Sequence, residues 1–266
     1  MVCSAAIEEC DSLFILSSKI LELFLTCYVN LRNIFGLAMY SGMNPMMNLK
    51  THIYLVPGLA AGKEIFRNLD FPSDLFEIHV LEWLIPEKNE IIANYAARMA
   101  TRITERNAVL IGVSFGGVVV QEMAAFVDLK KLIIISSVKS KNELPKRLRI
   151  VRMLKLYRIV PTGLILSAQD LTNYAVGPRS KKRLALYNEY LHVRDKTYLN
   201  WAIYNMINWR RVNPDPEVVH IHGDADIVLP VKNIDKYICL KGGTHIMVLN
   251  KGKWLSEKIT EIIQNN

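Results

Sequence analysis

Residues 110–119 read LIGVSFGGVV and place Ser114 between two glycines in the pattern GxSxG. The apolar run before the serine, residues 108–113, predicts a buried strand, and residues 117–126 predict a helix with few polar positions. The serine therefore lies on a strand-to-helix turn. Glycines suit such a sharp turn because they have no Cβ to crowd it, and the start of a helix presents free N–H groups. The alternative is a glycine turn with an incidental serine, and the strand and helix context argues against it.

A nucleophilic serine needs a base that takes its proton and a carboxylate that orients the base. Two loops in the second half of the sequence offer these groups. Asp226 follows a short apolar stretch at residues 217–221, and His245 lies in a Gly-Gly loop after a second stretch at residues 236–240. Functional groups of an open parallel sheet gather outside the carboxyl ends of its strands. We therefore expect Ser114, Asp226 and His245 to converge on one edge of a sheet.

Other interpretations of these loops stay open. Asp224 is an alternative acid, although only Asp226 has a proline four residues further on, at Pro230. We expect His220 and His222 to pack the core or brace the loop. Together with Asp224 they are the one group with a spacing that suits a metal ion. Because the loop already accounts for these residues, we predict no metal site and no cofactor. The alternative for His245 is a surface loop histidine.

The chain is expected to fold as an α/β protein with a mainly parallel sheet flanked by helices. From residue 51 onwards, short apolar stretches alternate with stretches of helical periodicity, which is typical of βαβ units. The predicted strands are residues 52–56, 77–84, 108–113, 131–135, 217–221 and 236–240. The predicted helices outside the basic segment are residues 64–69, 90–103, 117–126 and 253–263.

The composition fits a globular protein with one large domain. The chain has 266 residues, of which 51% are hydrophobic and 22% are charged. Its four cysteines show no CxxC pattern and no metal spacing. We therefore expect free thiols and a reducing, cytoplasmic location.

The net charge of +8 is concentrated in residues 138–214. This segment has sixteen Lys and Arg against four Asp and Glu, a net +12, and the rest of the chain has 17 against 21, a net −4. Its pattern predicts helices without strands, near residues 180–192 and 197–209 among others, and therefore an all-helical lid inserted into the sheet domain. The basic charge either attracts acidic substrates or anionic membrane surfaces, or forms a solvated helical face. Several large side chains either line an acyl pocket or pack the lid, with packing favoured for most: Met153, Tyr157, Tyr174, Trp201, Tyr204, Met206 and Trp209.

The sequence before the sheet domain, residues 1–47, is an apolar or amphipathic extension of doubtful role. Acidic residues stand where a secretory signal needs basic ones, and charges interrupt its apolar run before the length of a membrane span. Contact with a membrane surface is possible for such a helix. Our hypothesis is that the extension is dispensable, or is upstream sequence translated from a misplaced start. Insoluble protein after deletion of residues 1–45 would contradict it.

The sequence resembles the α/β-hydrolase family, which combines a GxSxG turn, an acid in an HGxxDxxxP loop and a late histidine in that order. Residues 112–116, residues 222–230 and His245 match this pattern residue by residue. The resemblance implies that Ser114 is the nucleophile and His245 the general base and acid. It also implies that Asp226 fixes the imidazole tautomer. The predicted hydrolase core covers residues 48–137 and 215–266.

The resemblance further implies an oxyanion hole of backbone N–H groups. In the loop after the first strand, the usual His-Gly of the family is replaced by Pro57-Gly58. Pro57 has no N–H, but the N–H groups of Leu59 and Phe115 are expected to form the hole. The glycines expected to shape this loop and the serine turn are Gly58, Gly112 and Gly116.

The sequence therefore predicts a serine hydrolase that cleaves a carboxylic ester or thioester of a small molecule through an acyl-enzyme on Ser114. Acyl transfer or lyase chemistry on the same residues is one alternative. A non-catalytic protein that binds a ligand in the same pocket is another. No nucleic-acid module is recognisable, and the sequence leaves the oligomeric state and the acyl chain length open.

Overall fold

The computed structural model describes residues 50–155 and 189–265. Within them a single six-stranded sheet has the order β2-β1-β3-β4-β5-β6, and every neighbouring pair of strands is parallel. This confirms the predicted parallel α/β architecture. The strands are β1 (Thr51–Val56), β2 (Phe76–Val80), β3 (Ala108–Val113), β4 (Leu129–Ile135), β5 (Val218–Gly223) and β6 (Ile238–Leu240).

Among the described residues, α-helices lie in the connections β2–β3, β3–β4 and β4–β5, whereas the connections β1–β2 and β5–β6 contain only 3-10 turns. The helices of the described residues are α1 (Ile92–Ala100), α2 (Phe115–Met123), α3 (Lys146–Met153), α4 (Lys196–Asn208), α5 (Met247–Asn250) and α6 (Gly252–Gln264). Short 3-10 turns lie at Lys63–Phe66, Ala124–Phe126 and Val231–Asn233.

The sheet has a buried apolar core on each face. The central strands are apolar on both sides, and all six residues of β3 are buried. One face packs against α1, α2 and α4 through side chains such as Tyr95, Val119 and Tyr198. The other face packs against α5 and α6 through Met247 and Ile259, among others. Burial on two faces explains why the central strands read as continuous apolar runs rather than alternating ones.

Two predicted elements differ from the structure. The helix predicted at residues 64–69 is only a 3-10 turn, closed by bonds from Arg67 N–H to the Glu64 carbonyl and from Leu69 N–H to the Phe66 carbonyl. In the same stretch the Asn68 side chain donates to the Leu249 carbonyl, 2.6 Å away. The strand predicted at residues 77–84 ends at Val80, after which the chain leaves the sheet.

The helical lid stays a prediction. Within residues 138–214 the described parts contain α3 and α4 and no strand. Most of the helix predicted at residues 180–192, together with Tyr157 and Tyr174, lies outside the described residues, and so does the extension at residues 1–47. Among the helices of the described ranges, none has the length and apolar character to cross a bilayer.

Candidate active site

Ser114 lies at the turn between β3 and α2, as the sequence predicts. Its φ of 54° and ψ of −117° are unusual for a residue with a side chain, and such a conformation costs on the order of 1–3 kcal/mol. Hydrogen bonds on both sides hold it in place. The Ser114 N–H donates to the Ile135 carbonyl at 2.9 Å, and the Ser137 hydroxyl donates to the Ser114 carbonyl at 2.7 Å.

The glycines of the turn are there because neighbouring backbone leaves no room for a side chain. A Cβ on Gly112 would overlap the carbonyl of Gly116, one turn into the helix. A Cβ on Gly116 would overlap the carbonyl oxygens of Val56 and Pro57 at the end of β1. The two glycines of the GxSxG pattern are therefore required by the close packing of β3, α2 and the loop that follows β1.

The structure brings Ser114, His245 and Asp226 together at the carboxyl edge of the sheet. Ser114 Oγ lies 2.9 Å from His245 Nε2, and His245 Nδ1 lies 2.8 Å from Asp226 Oδ2. A carboxylate can only accept, so Nδ1 carries the imidazole proton. Nε2 is then free to accept the proton of the serine hydroxyl. Asp224, the alternative acid, instead accepts from the Gly242 N–H at 2.6 Å.

Asp226 is a buried carboxylate with a full set of donors. Its side chain is fully buried, and its Oδ1 accepts from the N–H groups of Val228 and Leu229, both at 2.8 Å. Burial alone would raise the pKa of Asp226, but hydrogen bonds from His222 and His245 outweigh it and hold the pKa far below its usual range. The group therefore stays ionised at neutral pH.

His222 and His220 brace the acid loop from β5. His222 Nε2 lies 2.8 Å from the Leu229 carbonyl and 3.2 Å from Asp226 Oδ2. Both oxygens accept, so this nitrogen is protonated and its single N–H is shared between them. His222 Nδ1 then accepts from His220 Nε2, 2.9 Å away. Asp224, the third residue of that predicted group, accepts a hydrogen bond from the Gly242 N–H. The bracing interpretation of the two histidines fits this geometry.

The loop after β1 lies beside the serine. A Cβ on Gly58 would sit 3.5 Å from the Ser114 Cβ. Phe115 is the first residue of α2, so its N–H has no acceptor within the helix. The Leu59 N–H has no backbone acceptor among the described residues. Neither N–H has a backbone acceptor among the described residues, and the oxyanion hole of Leu59 and Phe115 stays a prediction.

Trp83 fixes the peptide that carries the Leu59 N–H. The Trp83 indole N–H and the Ala61 N–H both donate to the Gly58 carbonyl, each at 3.1 Å. In a trans peptide the carbonyl and the next N–H point in opposite directions. Holding the Gly58 carbonyl on the Trp83 side therefore directs the Leu59 N–H to the opposite side. The Trp83 ring also packs 5.6 Å from the Phe115 ring.

Three of the five large lid side chains that the structure describes pack against the core, and two are exposed. Trp201 donates to the Glu90 carbonyl at 2.7 Å and lies 4.1 Å from the Tyr95 ring, so it holds α4 against α1. Trp209 is buried and donates to Glu122 at 3.0 Å. Met206 packs against the core beside α1 and α2, whereas Tyr204 and Met153 are exposed. Among them, Trp201 reaches the ring of Phe115, at 6.0 Å.

Sequence reasoning missed Trp83 and Ser137. The sequence pattern places Trp83 at the end of a predicted strand, whereas its bond to Gly58 joins residues 25 positions apart. Ser137 follows β4 and reaches Ser114 from the neighbouring strand. No local pattern marks either contact, because both depend on how segments distant in sequence pack together.

No family model and no curated protein sequence matches this chain. Solved structures do resemble it. A lipase-esterase related protein from Clostridium acetobutylicum is 17% identical with a TM-score of 0.58, covering 80% of this chain and 95% of that chain. A thermophilic esterase from Thermogutta terrifontis is 14% identical with a TM-score of 0.56, covering 81% and 90%. A bromoperoxidase from Bacillus anthracis is 13% identical with a TM-score of 0.58, covering 82% and 92%.

At these identities the likeness is one of fold, and it agrees with the strand order and with the position of the serine turn between β3 and α2. The chain has the α/β-hydrolase fold.

Proposed function

We propose that the protein is a serine hydrolase that cleaves a carboxylic ester or thioester through an acyl-enzyme on Ser114. The observation that carries this proposal is the hydrogen-bonded chain from Ser114 through His245 to Asp226, with lengths of 2.9 and 2.8 Å. A hydroxyl on an imidazole that a buried carboxylate orients is an activated nucleophile. Two of the similar structures are named as esterase or lipase-esterase related, which agrees with this chemistry.

In the first half-reaction Ser114 Oγ attacks the acyl carbonyl carbon while His245 Nε2 takes the hydroxyl proton. The negative charge on the former carbonyl oxygen is stabilised by the N–H groups of Leu59 and Phe115. His245 then gives the proton to the leaving alcohol or thiol, and the bond from the carbonyl carbon to that group breaks. Asp226 stabilises the imidazolium that forms in between.

In the second half-reaction water attacks the acyl-enzyme, and His245 takes one of its protons. The bond from the acyl carbon to Ser114 Oγ breaks, the serine recovers its proton and a carboxylic acid leaves. The half-buried rings of Trp83 and Trp201 flank Phe115 beside the serine. These rings favour an apolar acyl group over a charged one.

The test is to treat the protein with a fluorophosphonate probe and to locate the adduct by peptide mass spectrometry. The adduct is expected on Ser114 in the wild type and in Ser73→Ala, a matched control at an exposed serine, and absent in Ser114→Ala. Hydrolysis of short and long acyl p-nitrophenyl esters should fall by roughly a millionfold in kcat in Ser114→Ala.

Undiminished ester hydrolysis by Ser114→Ala would refute the proposal. A folded wild type that forms no adduct and turns over no ester, but binds acyl ligands as tightly as Ser114→Ala does, would identify a binding protein instead. Faster product formation with an added alcohol or thiol acceptor than with water would identify an acyltransferase.

A further inference from the structure

A second group of polar side chains lies on the sheet outside the candidate active site. His52 stands near the start of β1, whereas the serine turn follows the end of the neighbouring strand β3. Glu77 and His79 stand on β2, which pairs with β1. A strand rises about 3.3 Å per residue, so His52 and its partner Glu77 lie about 13 Å from the carboxyl end of β1, and His79, level with Tyr54, lies about 7 Å from it.

The register of β1 and β2 puts the three side chains on one face. His52 pairs with Glu77, and Tyr54 pairs with His79. Side chains two residues apart on a strand share a face, and directly paired residues of neighbouring strands point to the same side. His52, Glu77 and His79 therefore project from the same face of two hydrogen-bonded strands, which fixes the distances between their Cα atoms.

The three side chains converge. His52 Nδ1 is 2.9 Å from His79 Nε2, and His79 Nε2 is 3.8 Å from Glu77 Oε1. One nitrogen from each ring and one carboxylate oxygen all lie within 4.8 Å of one another. Tyr54 stacks on the His79 ring at 4.6 Å with an angle of 19° between the planes, which holds the ring in position.

We propose that His52, Glu77 and His79 bind a Zn²⁺ ion. Two imidazoles and one carboxylate are ligands that zinc takes in proteins, with Zn–N and Zn–O distances of about 2.0–2.2 Å. In a tetrahedral site such bonds place neighbouring ligand atoms about 3.3 Å apart. The observed 2.9 and 3.8 Å lie on either side of this value, so small side-chain rotations complete the site while the strands stay in place.

The cluster is partly exposed to solvent. The side chains of His79 and Glu77 are 32% and 53% exposed, so zinc enters from solvent and a water molecule completes the tetrahedron. In the metal-free pair one histidine donates its N–H to the other. Zinc needs both of these nitrogens unprotonated, so the donor ring moves its proton to its other nitrogen on binding. No net proton release is required from two neutral rings.

Zinc at this position would link β2 to β1. β2 lies at the edge of the described sheet and pairs only with β1 there. An ion bound by both strands binds the folded state and not the separated strands, so it stabilises the fold by mass action. The consequence can be measured without any enzyme assay.

The experiment uses untagged full-length protein, stripped with a chelator and then titrated with ZnCl₂ in a calorimeter, with Tm measured in parallel. We expect one equivalent of Zn²⁺ to bind with a micromolar or lower Kd. At a hundredfold excess over Kd, zinc should raise Tm by about 5 °C or more. Mg²⁺, which prefers six oxygen ligands, should neither bind nor raise Tm.

Three variants locate the site. His79→Ala and Glu77→Gln should each weaken zinc binding at least tenfold and abolish the rise in Tm. His192→Ala is the matched control, because exposed His192 also lies beside a carboxylate, 3.6 Å from Glu64, but in the described part of the chain it belongs to no three-residue group of possible metal ligands. This control should bind zinc as the wild type does.

Unchanged zinc affinity in Glu77→Gln would overturn the proposal, and this variant decides the question if His79→Ala fails to fold. Absence of zinc binding to the wild type at a hundredfold excess over a micromolar Kd would overturn it equally. Zinc binding that is lost in His245→Ala but kept in both strand variants would place the ion at the serine site instead.

Discussion

The indole of Trp83 touches both parts of the candidate oxyanion hole. Its N–H holds the Gly58 carbonyl at 3.1 Å, and its ring packs against Phe115. A single side chain from a connecting segment therefore orients the Leu59 N–H and supports the start of α2. In the proposed mechanism these N–H groups act on charge that exists only in the transition state, so small errors in their direction affect kcat more than substrate binding.

Trp83→Phe keeps an aromatic ring but removes the indole N–H. We expect kcat for a p-nitrophenyl ester to fall about fivefold with little change in KM, because the Gly58 carbonyl loses one of its two hydrogen bonds, worth about 1 kcal/mol, and is then held by the Ala61 N–H alone. Trp209→Phe is the control, since it removes an indole bond to the Glu122 carboxylate away from this loop. Equal kcat values for the wild type and Trp83→Phe would show that the loop holds its shape without the tryptophan.

At the scale of elements, the turn that carries Ser114 is set by how closely α2 approaches β1. Gly116 lies in the first turn of α2, where a helix normally gains from replacing glycine with alanine. Here the added Cβ would meet the carbonyl oxygens of Val56 and Pro57. The helix cannot move away without losing the packing of Val118 and Val119, which are fully buried.

Gly116→Ala is therefore expected to lower the free energy of unfolding by about 1–3 kcal/mol, as overpacked sites do. Urea denaturation followed by circular dichroism measures this change. Ala97→Gly, at a partly exposed position inside α1, calibrates the ordinary effect of glycine in a helix of this protein, a loss of about 1 kcal/mol. If Gly116→Ala instead raised the free energy of unfolding, the space between α2 and β1 would be large enough for a Cβ and the proposed overlap would be wrong.

The elements differ in how far the sequence determines them. The predicted bounds of β3 and α2 are close to the observed ones, because the apolar run, the glycine turn and the helical stretch follow one another directly in the sequence. The same holds for the loops of Asp226 and His245, which the glycines and Pro230 mark. The prediction for residues 64–69 is wrong, since the structure has only a 3-10 turn at Lys63–Phe66. The Asn68 side chain there contacts Leu249, 181 positions away, and the local sequence does not display such a contact. The convergence of His52 with His79 depends on strand register, which the sequence does not display.

At the scale of the whole molecule, β5 carries two buried histidines through the core. His220 is 2% exposed and His222 is fully buried. Burial, assisted by the neighbouring His222 and Lys139, holds the pKa of His220 well below its usual range, although Asp226 opposes this shift. His220 is therefore neutral in the folded protein at a pH where the unfolded chain already takes up a proton.

A depressed pKa means that the unfolded state binds more protons as the pH falls. The contribution of His220 to the free energy of unfolding is therefore fully present above the pKa of an unfolded histidine, about 6.5. It decreases as the pH falls below that value. We expect His220→Asn to show a smaller loss of unfolding free energy between pH 7.5 and pH 5.5 than the wild type, measured by urea denaturation at each pH. His192→Asn, at an exposed position, is the control. If His220→Asn and the wild type lost the same unfolding free energy between these pH values, His220 would not cause the pH dependence of stability.

The hydrogen bond between Ser114 and His245 joins residues 131 positions apart. Ser114 follows β3 and His245 follows β6, and two other strands lie between these in the sheet. The bond therefore exists only while four neighbouring strands are seated side by side. If the short strand β6 detached and the rest stayed folded, the serine would keep its turn and lose its partner. A fall in the covalent labelling of Ser114 would then indicate that β6 has detached at the far edge of the sheet before the protein unfolds as a whole.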